Sequence, residues 1–324
     1  MTRAVDIDAL VAGARAGHAR SVARLISLIE DAAPSVPQIT RSLVPSTGRS
    51  WVIGLTGAPG VGKSTTTSAL VSAFRSRDWR VGVLAVDPSS PFTGGALLGD
   101  RVRMQEHATD PGVFIRSMAS RGHLGGLAWA TPQAIRVLDA AGFDIVLVET
   151  VGVGQSEVEV AGAADTTVVL LAPGMGDGVQ AAKAGILEIG DVFVVNKADR
   201  DGADSTMREL RHMITLGSGP RSGSSDDPWA PPVLKTVAAR KEGIVEVVSA
   251  LDDHLAWLTR TGELAARRRA RAESEIEAIA FGALRARIGD LRGDDRLESL
   301  AARVVEGTTD PYAAADALIA GLAI

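Results

Sequence analysis

Cysteine is absent from the 324-residue chain, which excludes disulfides and thiolate metal sites and fits a reducing cytoplasm. Aromatic residues make up only 4%, so the core has to be built from Ala, Val, Leu and Ile. No apolar run approaches the roughly 18 residues needed to span a bilayer. The opening MTRAVDIDAL lacks the apolar stretch of a secretion signal. A formal charge of −5 gives no global attraction to nucleic acid or to anionic lipid. These absences lead to the expectation of a cytoplasmic protein with neither nucleic acid nor membrane as partner. What is present is globular: 46% apolar and 23% charged residues, in a chain long enough for one large domain with appendages or for two domains.

The most informative stretch is Gly57-Ala58-Pro59-Gly60-Val61-Gly62-Lys63-Ser64, which matches G-x-x-x-x-G-K-[ST]. Trp51 to Thr56 before it reads as a short buried strand. Thr65 to Arg75 after it reads as a helix with Leu70, Val71 and Phe74 on one side. Between a strand and a helix, such glycines let the backbone curl its N–H groups toward a phosphate, and the helix start adds its positive end. Lys63 can then reach β- and γ-phosphate oxygens, and the Ser64 hydroxyl can ligate Mg²⁺. The bland reading is a glycine-rich turn that starts a helix.

From Trp51 onward, Val/Leu/Ile runs alternate with helical patterns. Strands are predicted at Val81–Val86, Val113–Arg116, Asp144–Glu149, Thr167–Ala172, Val192–Val195 and Val233–Val237. Helix-length segments lie near 128–141, 155–163, 178–188, 204–216 and 242–260. This predicts an α/β fold of the P-loop NTPase kind, a mostly parallel sheet sandwiched by helices, with ligands at the carboxyl ends of the strands. Asp6 to Asp31 carries apolar residues at helical spacing and reads as one or two amphipathic helices, followed by a linker over Ala33 to Arg49. Glu263 to Leu291 is Ala/Arg/Glu-rich, and Arg296 to Leu322 reads as two helices broken at Gly307–Pro311. The expected organisation is an N-terminal helical extension over 1–45, a nucleotide domain over 46–260, and a helical dimerisation arm over 261–324. Packing of that arm against its own domain is the alternative. The run Arg267 to Arg271 is followed at once by Glu273, Glu275 and Glu277, the pattern of a solvated helix face.

Asn196-Lys197-Ala198-Asp199 closes the VFVV run. In N-K-x-D, the Asp199 carboxylate can accept from guanine N1–H and the exocyclic amine. Adenine presents an acceptor at that position and would leave the carboxylate unpaired. Asn196 can brace the loop or touch the base, and the Lys197 stem can lie along its face. Val237-Ala238, after the last strand, are placed to offer a backbone N–H to the guanine carbonyl. Asp87 and Glu149 end strands where an acid can hold Mg²⁺ directly or through water. Gly152 follows Glu149 at switch-loop spacing, and Asp100 lies in the glycine-rich Pro91 to Asp100 stretch. Val153 stands where many small GTPases carry a water-orienting glutamine, so unaided hydrolysis is expected to be slow.

Taken together with Glu149-Thr150-Val151-Gly152-Val153-Gly154-Gln155-Ser156-Glu157, these residues resemble the MeaB family, whose relatives include the methylmalonic aciduria type A protein and bacterial proteins labelled ArgK. The likeness spans roughly residues 40 to 290. Its specific markers are Val86-Asp87-Pro88-Ser89-Ser90-Pro91, the run Gly94 to Met104, and the stretch after Glu149. The resemblance implies a homodimeric P-loop GTPase that chaperones an adenosylcobalamin-dependent acyl-CoA mutase, gating its cofactor loading and protecting it. It implies Gly57 to Thr65 and Lys63 on the phosphates, with Ser64, Asp87, Asp100 and Glu149 supporting Mg²⁺ and hydrolysis of GTP to GDP. Asn196, Lys197 and Asp199 would hold guanine, and Asp177, Gln180 and Lys183 would signal to the mutase. Familiar members read Ser-Ala where Val237-Ala238 stands here. Two other classes remain: a metallochaperone GTPase, poorly served by five scattered histidines, and a small-molecule or transporter-linked kinase, which would favour ATP.

Overall fold

The computed structural model describes residues 5–87, 104–119, 130–150, 156–174, 186–217, 227–288 and 295–320. It divides into two compact units, Met1–Ala265 and Ala266–Ile324.

The first unit opens with three helices, α1 (Ile7–Arg15), α2 (Ala19–Glu30) and α3 (Val36–Leu43). Asp6 caps α1 by accepting from Ala9 N at 2.9 Å. The stretch expected to be a linker over Ala33 to Arg49 is largely helical: α3 is followed by a 3₁₀ turn at Val44–Ser46. Pro37 did not prevent this because it sits in the first turn, where its missing N–H has no helical partner to lose. Ile39 and Leu43 are fully buried there, so packing outweighs the loop-like composition.

Strands and helices then alternate: β1 (Trp51–Thr56), α4 (Lys63–Arg75), β2 (Val81–Asp87), β3 (Val113–Ala119), α5 (Thr131–Ala140), β4 (Ile145–Thr150), α6 (Ser156–Ala163), β5 (Thr166–Leu171), α7 (Ile186–Ile189), β6 (Val192–Val195), α8 (Ala203–Gly217), β7 (Val233–Lys235) and α9 (Ile244–Thr261). All seven expected strands are present. The last is shorter than expected because Val237 leaves the sheet to bridge Glu242. The helix expected near 178–188 falls partly outside the described residues.

The seven strands form one parallel sheet in the order β3-β2-β4-β1-β5-β6-β7. Because strand side chains alternate, Trp51, Ile53 and Leu55 face one core with Leu70, Val71 and Phe74 of α4 and Val247 and Leu251 of α9. Val52, Val146 and Val148 face the other, closed by α1 to α3 and α5. Val169, Leu171, Phe193 and Val195 continue that second face under Ala203 and Leu210 of α8. Each buried aliphatic or aromatic side chain contributes about 1.5–3 kcal/mol. The N-terminal helices therefore supply one wall of the sheet's core, with Leu25, Ile26 and Ile29 fully buried.

The end of α4 is tied to the turn before β3 by a bidentate pair, Arg75 Nε to Asp110 Oδ2 at 2.8 Å and Arg75 Nη2 to Asp110 Oδ1 at 3.1 Å, with Gly112 N also donating to Asp110 at 2.8 Å. The Arg75 hydrogen bonds, then that of Gly112, hold the Asp110 carboxyl below its ordinary range. A depressed folded-state pKa means stability present above the unfolded value, near pH 4, and lost as pH falls through the folded one. Asp110→Asn is therefore expected to flatten the acid limb of the thermal melting curve while lowering the neutral melting temperature slightly. An unchanged acid limb would place the linkage elsewhere.

The second unit contains most of α10 (Glu263–Ile288), with α11 (Asp295–Val305) and α12 (Pro311–Ala320). Gly307 has φ of +72° between α11 and α12, where the break was expected, and Pro311 occupies the first position of α12. Ile276, Ile279 and Phe281 of α10 are 67%, 60% and 62% exposed.

Candidate functional site: a nucleotide cradle at the carboxyl ends of the strands

The crevice of an open parallel sheet lies where the strand order reverses, here beside β1, which pairs with β4 on one side and β5 on the other. The loop Gly57–Gly62 leaves β1 at this point and α4 begins at Lys63, two residues earlier than the sequence pattern suggested.

Two glycines of this loop are dictated by geometry. Gly57 has φ of +142°, and a Cβ there would lie 2.2 Å from Leu170 O. Gly62 has φ of +98°, and its Cβ would lie 2.4 Å from Asn196 Nδ2. Because the Gly57 obstacle is backbone of β5, it cannot rotate away. Gly57→Ala is expected to destabilise the fold by about 2–4 kcal/mol through strain and displacement, read as a drop in the denaturation midpoint. A change below about 0.5 kcal/mol would contradict the close approach.

The Lys63 ammonium donates to the loop's own carbonyls, Gly57 O at 2.6 Å and Ala58 O at 3.1 Å, and the residue is buried. Ser64 Oγ donates to Glu149 Oε1 at 2.7 Å. The other carboxylate oxygen, Oε2, lies 2.9 Å from Thr67 Oγ1, which also lies 3.0 Å from Lys63 O. Glu149 comes to this place because β4 registers it beside Leu55 of β1 and Ala85 of β2. It is 4% exposed. A buried carboxylate next to a hydroxyl on a helix start is a set of hard oxygen donors that fits Mg²⁺. Among the described residues no three His, Asp or Glu side chains gather into a metal site.

The N-K-x-D segment follows β6. Asn196 is 3% exposed and acts as a brace. Its Nδ2 donates to Val61 O at 2.8 Å, and its Oδ1 accepts from Thr236 Oγ1 at 3.1 Å and Ala238 N at 3.0 Å. One side chain thus holds the phosphate loop, the β6 end and the β7 end in fixed relation. Lys197 sits at φ of +57° and its ammonium donates to Gly60 O, laying the stem across the loop. Asp199 opens onto a cleft of about 240 Å³ shared with Lys235, Thr236, Val237, Arg240 and Glu242. Its Oδ2 lies 3.5 Å from Arg240 Nη1. Arg240 is itself held by Glu242 through Nε at 2.7 Å and Nη2 at 3.2 Å. That hydrogen bonding keeps the Glu242 carboxyl below its ordinary value.

The structure therefore brings Gly57 to Thr65, Glu149, Asn196, Lys197 and Asp199 to one end of the sheet. The two backbone donors expected for a base carbonyl are engaged within the protein: Val237 N donates to Glu242 O at 3.1 Å and Ala238 N to Asn196. Asp87 ends β2, although its side chain lies outside the described residues, as do Asp100, Gly152, Val153, Gln155, Asp177, Gln180 and Lys183. Thr67, Thr236, Arg240 and Glu242 were missed by sequence reasoning. Thr67 was findable, since it stands one helical turn after Ser64. Thr236 immediately precedes the Val237-Ala238 pair, whereas Arg240 and Glu242 carried no local signal.

Comparison with known proteins agrees with this geometry. Residues 22–290 match the family model described as methylmalonyl-CoA mutase-associated GTPase MeaB. A protein of Pyrococcus abyssi named as a GTPase is 48% identical over 313 residues, covering 97% of this chain and 96% of the relative. GTPase ArgK of Escherichia coli is 39% identical over 254 residues, 77% of this chain and 76% of the relative. A solved structure titled LAO/AO transport system kinase superposes with a TM-score of 0.73 at 28% identity, covering 98% of both chains. Fold, phosphate loop and family match coincide over the same residues, and the chain belongs to the MeaB family of P-loop GTPases.

Proposed function

We propose that this GTPase binds GTP and GDP with Mg²⁺ and serves an adenosylcobalamin-dependent acyl-CoA mutase, methylmalonyl-CoA mutase foremost, as a nucleotide-gated chaperone of cofactor loading. The observation that carries the nucleotide part is the Asn196 brace, which locks the base-reading loop to the phosphate loop. The two ends of one nucleotide are then measured by a single rigid frame. Support for the client comes from the family description, which names the mutase, and from a Caenorhabditis elegans relative named methylmalonic aciduria type A homolog, 39% identical over 219 residues.

In this reading the loop N–H groups and Lys63 hold the phosphates. Asp199 accepts from the guanine edge, and the Lys197 stem covers one face of the base. Ser64 and Glu149, supported by Asp87 and Asp100, hold Mg²⁺, which offsets phosphate charge when bound. Asp177, Gln180 and Lys183 contact the client. The exposed Ile276, Ile279 and Phe281 of α10 meet a second copy, making residues 261–324 the dimerisation arm and 46–260 the nucleotide domain. No described helix is long and apolar enough to cross a membrane, and we place the protein in the cytoplasm.

The deciding experiment mixes the chain with a methylmalonyl-CoA mutase and measures GTP turnover and co-elution with no nucleotide, GDP and a non-hydrolysable GTP analogue. Faster hydrolysis and a complex whose yield depends on the nucleotide are expected. Absence of both in every state would remove the chaperone role and leave the GTPase standing.

A further inference from the structure

At the edge of the sheet opposite the phosphate loop, beside the amino ends of β1, β2 and β4, lies a concave cavity of about 430 Å³. Small-molecule sites run from about 300 to 1,000 Å³. The six residues of β1, at roughly 3.3 Å each, put about 20 Å between this cavity and the phosphate loop, so the two are separate.

Three arginines line it: Arg15 from the last turn of α1, Arg49 just before β1, and Arg80 just before β2. Among the described residues, none of the three forms an ion pair. The two carboxylates in the wall are already engaged. Asp139 accepts from Gly48 N, from Arg49 N at 3.2 Å, and from Ser50 N and Ser50 Oγ, each at 3.0 Å. Asp144 accepts from Arg80 N at 2.7 Å.

Two of the guanidinium groups are held in place by helix ends. Arg15 Nη2 donates to Ser42 O in α3. Arg80 Nη1 donates to Ala141 O at 2.7 Å and Gly142 O at 3.2 Å after α5, with its guanidinium carbon 4.5 Å from the Phe143 ring centroid. Capping of helix carbonyls accounts for Arg15 and Arg80. It does not account for Arg49, whose backbone is clamped by Asp139 while its exposed guanidinium caps nothing among the described residues. Arginine forks lining a concave space, two of them held and one uncommitted, are suited to a compact oxyanion, which they bind bidentately.

We propose that this cavity is a second ligand site that takes a small phosphate-bearing anion, gripped by Arg15, Arg49 and Arg80. The inference does not depend on the identity of the base bound at Asp199. Inorganic phosphate is the probe, titrated calorimetrically into the full chain saturated with Mg²⁺ and a non-hydrolysable GTP analogue, and separately into Lys63→Ala. Saturable one-to-one binding is expected in both, weakened at least about tenfold by Arg49→Glu. Four results would overturn the proposal: no saturable binding up to about 10 mM, equal binding by Arg49→Glu, loss of binding in Lys63→Ala, or weakening by Arg15→Ala and Arg80→Ala alone. The last would reduce the arginines to helix caps. A folded Arg49→Glu is expected because nothing in the described fold leans on that side chain, and its melting temperature checks this.

Discussion

Asp199→Asn is expected to weaken GDP and GTP binding by roughly two to three orders of magnitude and to improve binding of xanthosine diphosphate. The carboxylate offers two acceptor oxygens to the N1–H and exocyclic amine of guanine, and charged hydrogen bonds of this kind are worth about 1.5–3 kcal/mol each. Two of them at full strength would exceed three orders. Asp199 is 41% exposed at its side chain, so solvent takes part of that away. An amide presents one acceptor and one donor, which matches the N1–H and C2 carbonyl of xanthine. The variant should remain folded, because Arg240 keeps its bidentate partner Glu242 when Asp199 loses its charge. Competition against a fluorescent GDP analogue reads the result. Equal GDP affinity in the variant, or displacement by ATP at equal concentration, would remove the guanine reading and reopen a kinase that uses ATP.

Glu149→Ala should slow GTP hydrolysis about a hundredfold or more while GDP affinity stays within a few-fold. Glu149 reaches the amino end of α4 through Ser64 and Thr67, and in the proposed function its carboxylate supports the charge that develops on the transferring phosphoryl group. In the proposed function GDP is held mainly by the loop N–H groups, Lys63 and the base contacts, none of which the substitution removes. The substitution also costs stability, about 1–3 kcal/mol, because the buried Ser64 hydroxyl loses this acceptor while Thr67 falls back on Lys63 O. Glu149→Gln separates the two effects. It keeps an acceptor oxygen and nearly the same volume, so it should melt close to the parent and still hydrolyse slowly. A Gln variant that turns over at the parental rate would show that the charge is not required. A collapse of GDP affinity in either variant would make Glu149 a ground-state ligand instead.

The parts of this protein readable without its structure are those set by short-range spacing. The phosphate-binding motif is eight consecutive residues running from the end of a strand into a helix, so its conformation follows from glycines with positive φ and from the helix start at Lys63. Strands such as Thr166–Leu171 announce themselves as unbroken β-branched and aliphatic runs, and N-K-x-D is legible because its chemistry is carried by four neighbours. The helix α3 was not legible, since its Pro37, the flanking prolines and the Ser/Thr read as a loop, and only the burial of Ile39 and Leu43 shows why it forms. Strand order lay beyond any local period, because a run of Val and Leu fits any slot in a parallel sheet buried on both faces. Tertiary packing alone put Glu149 against Ser64 and Thr67, Asn196 against Val61 and Ala238, Arg240 beside Asp199, and three arginines around one cavity. These contacts join residues dozens of positions apart, and their geometry is set by register and by which helix covers which face, quantities that no window of sequence contains.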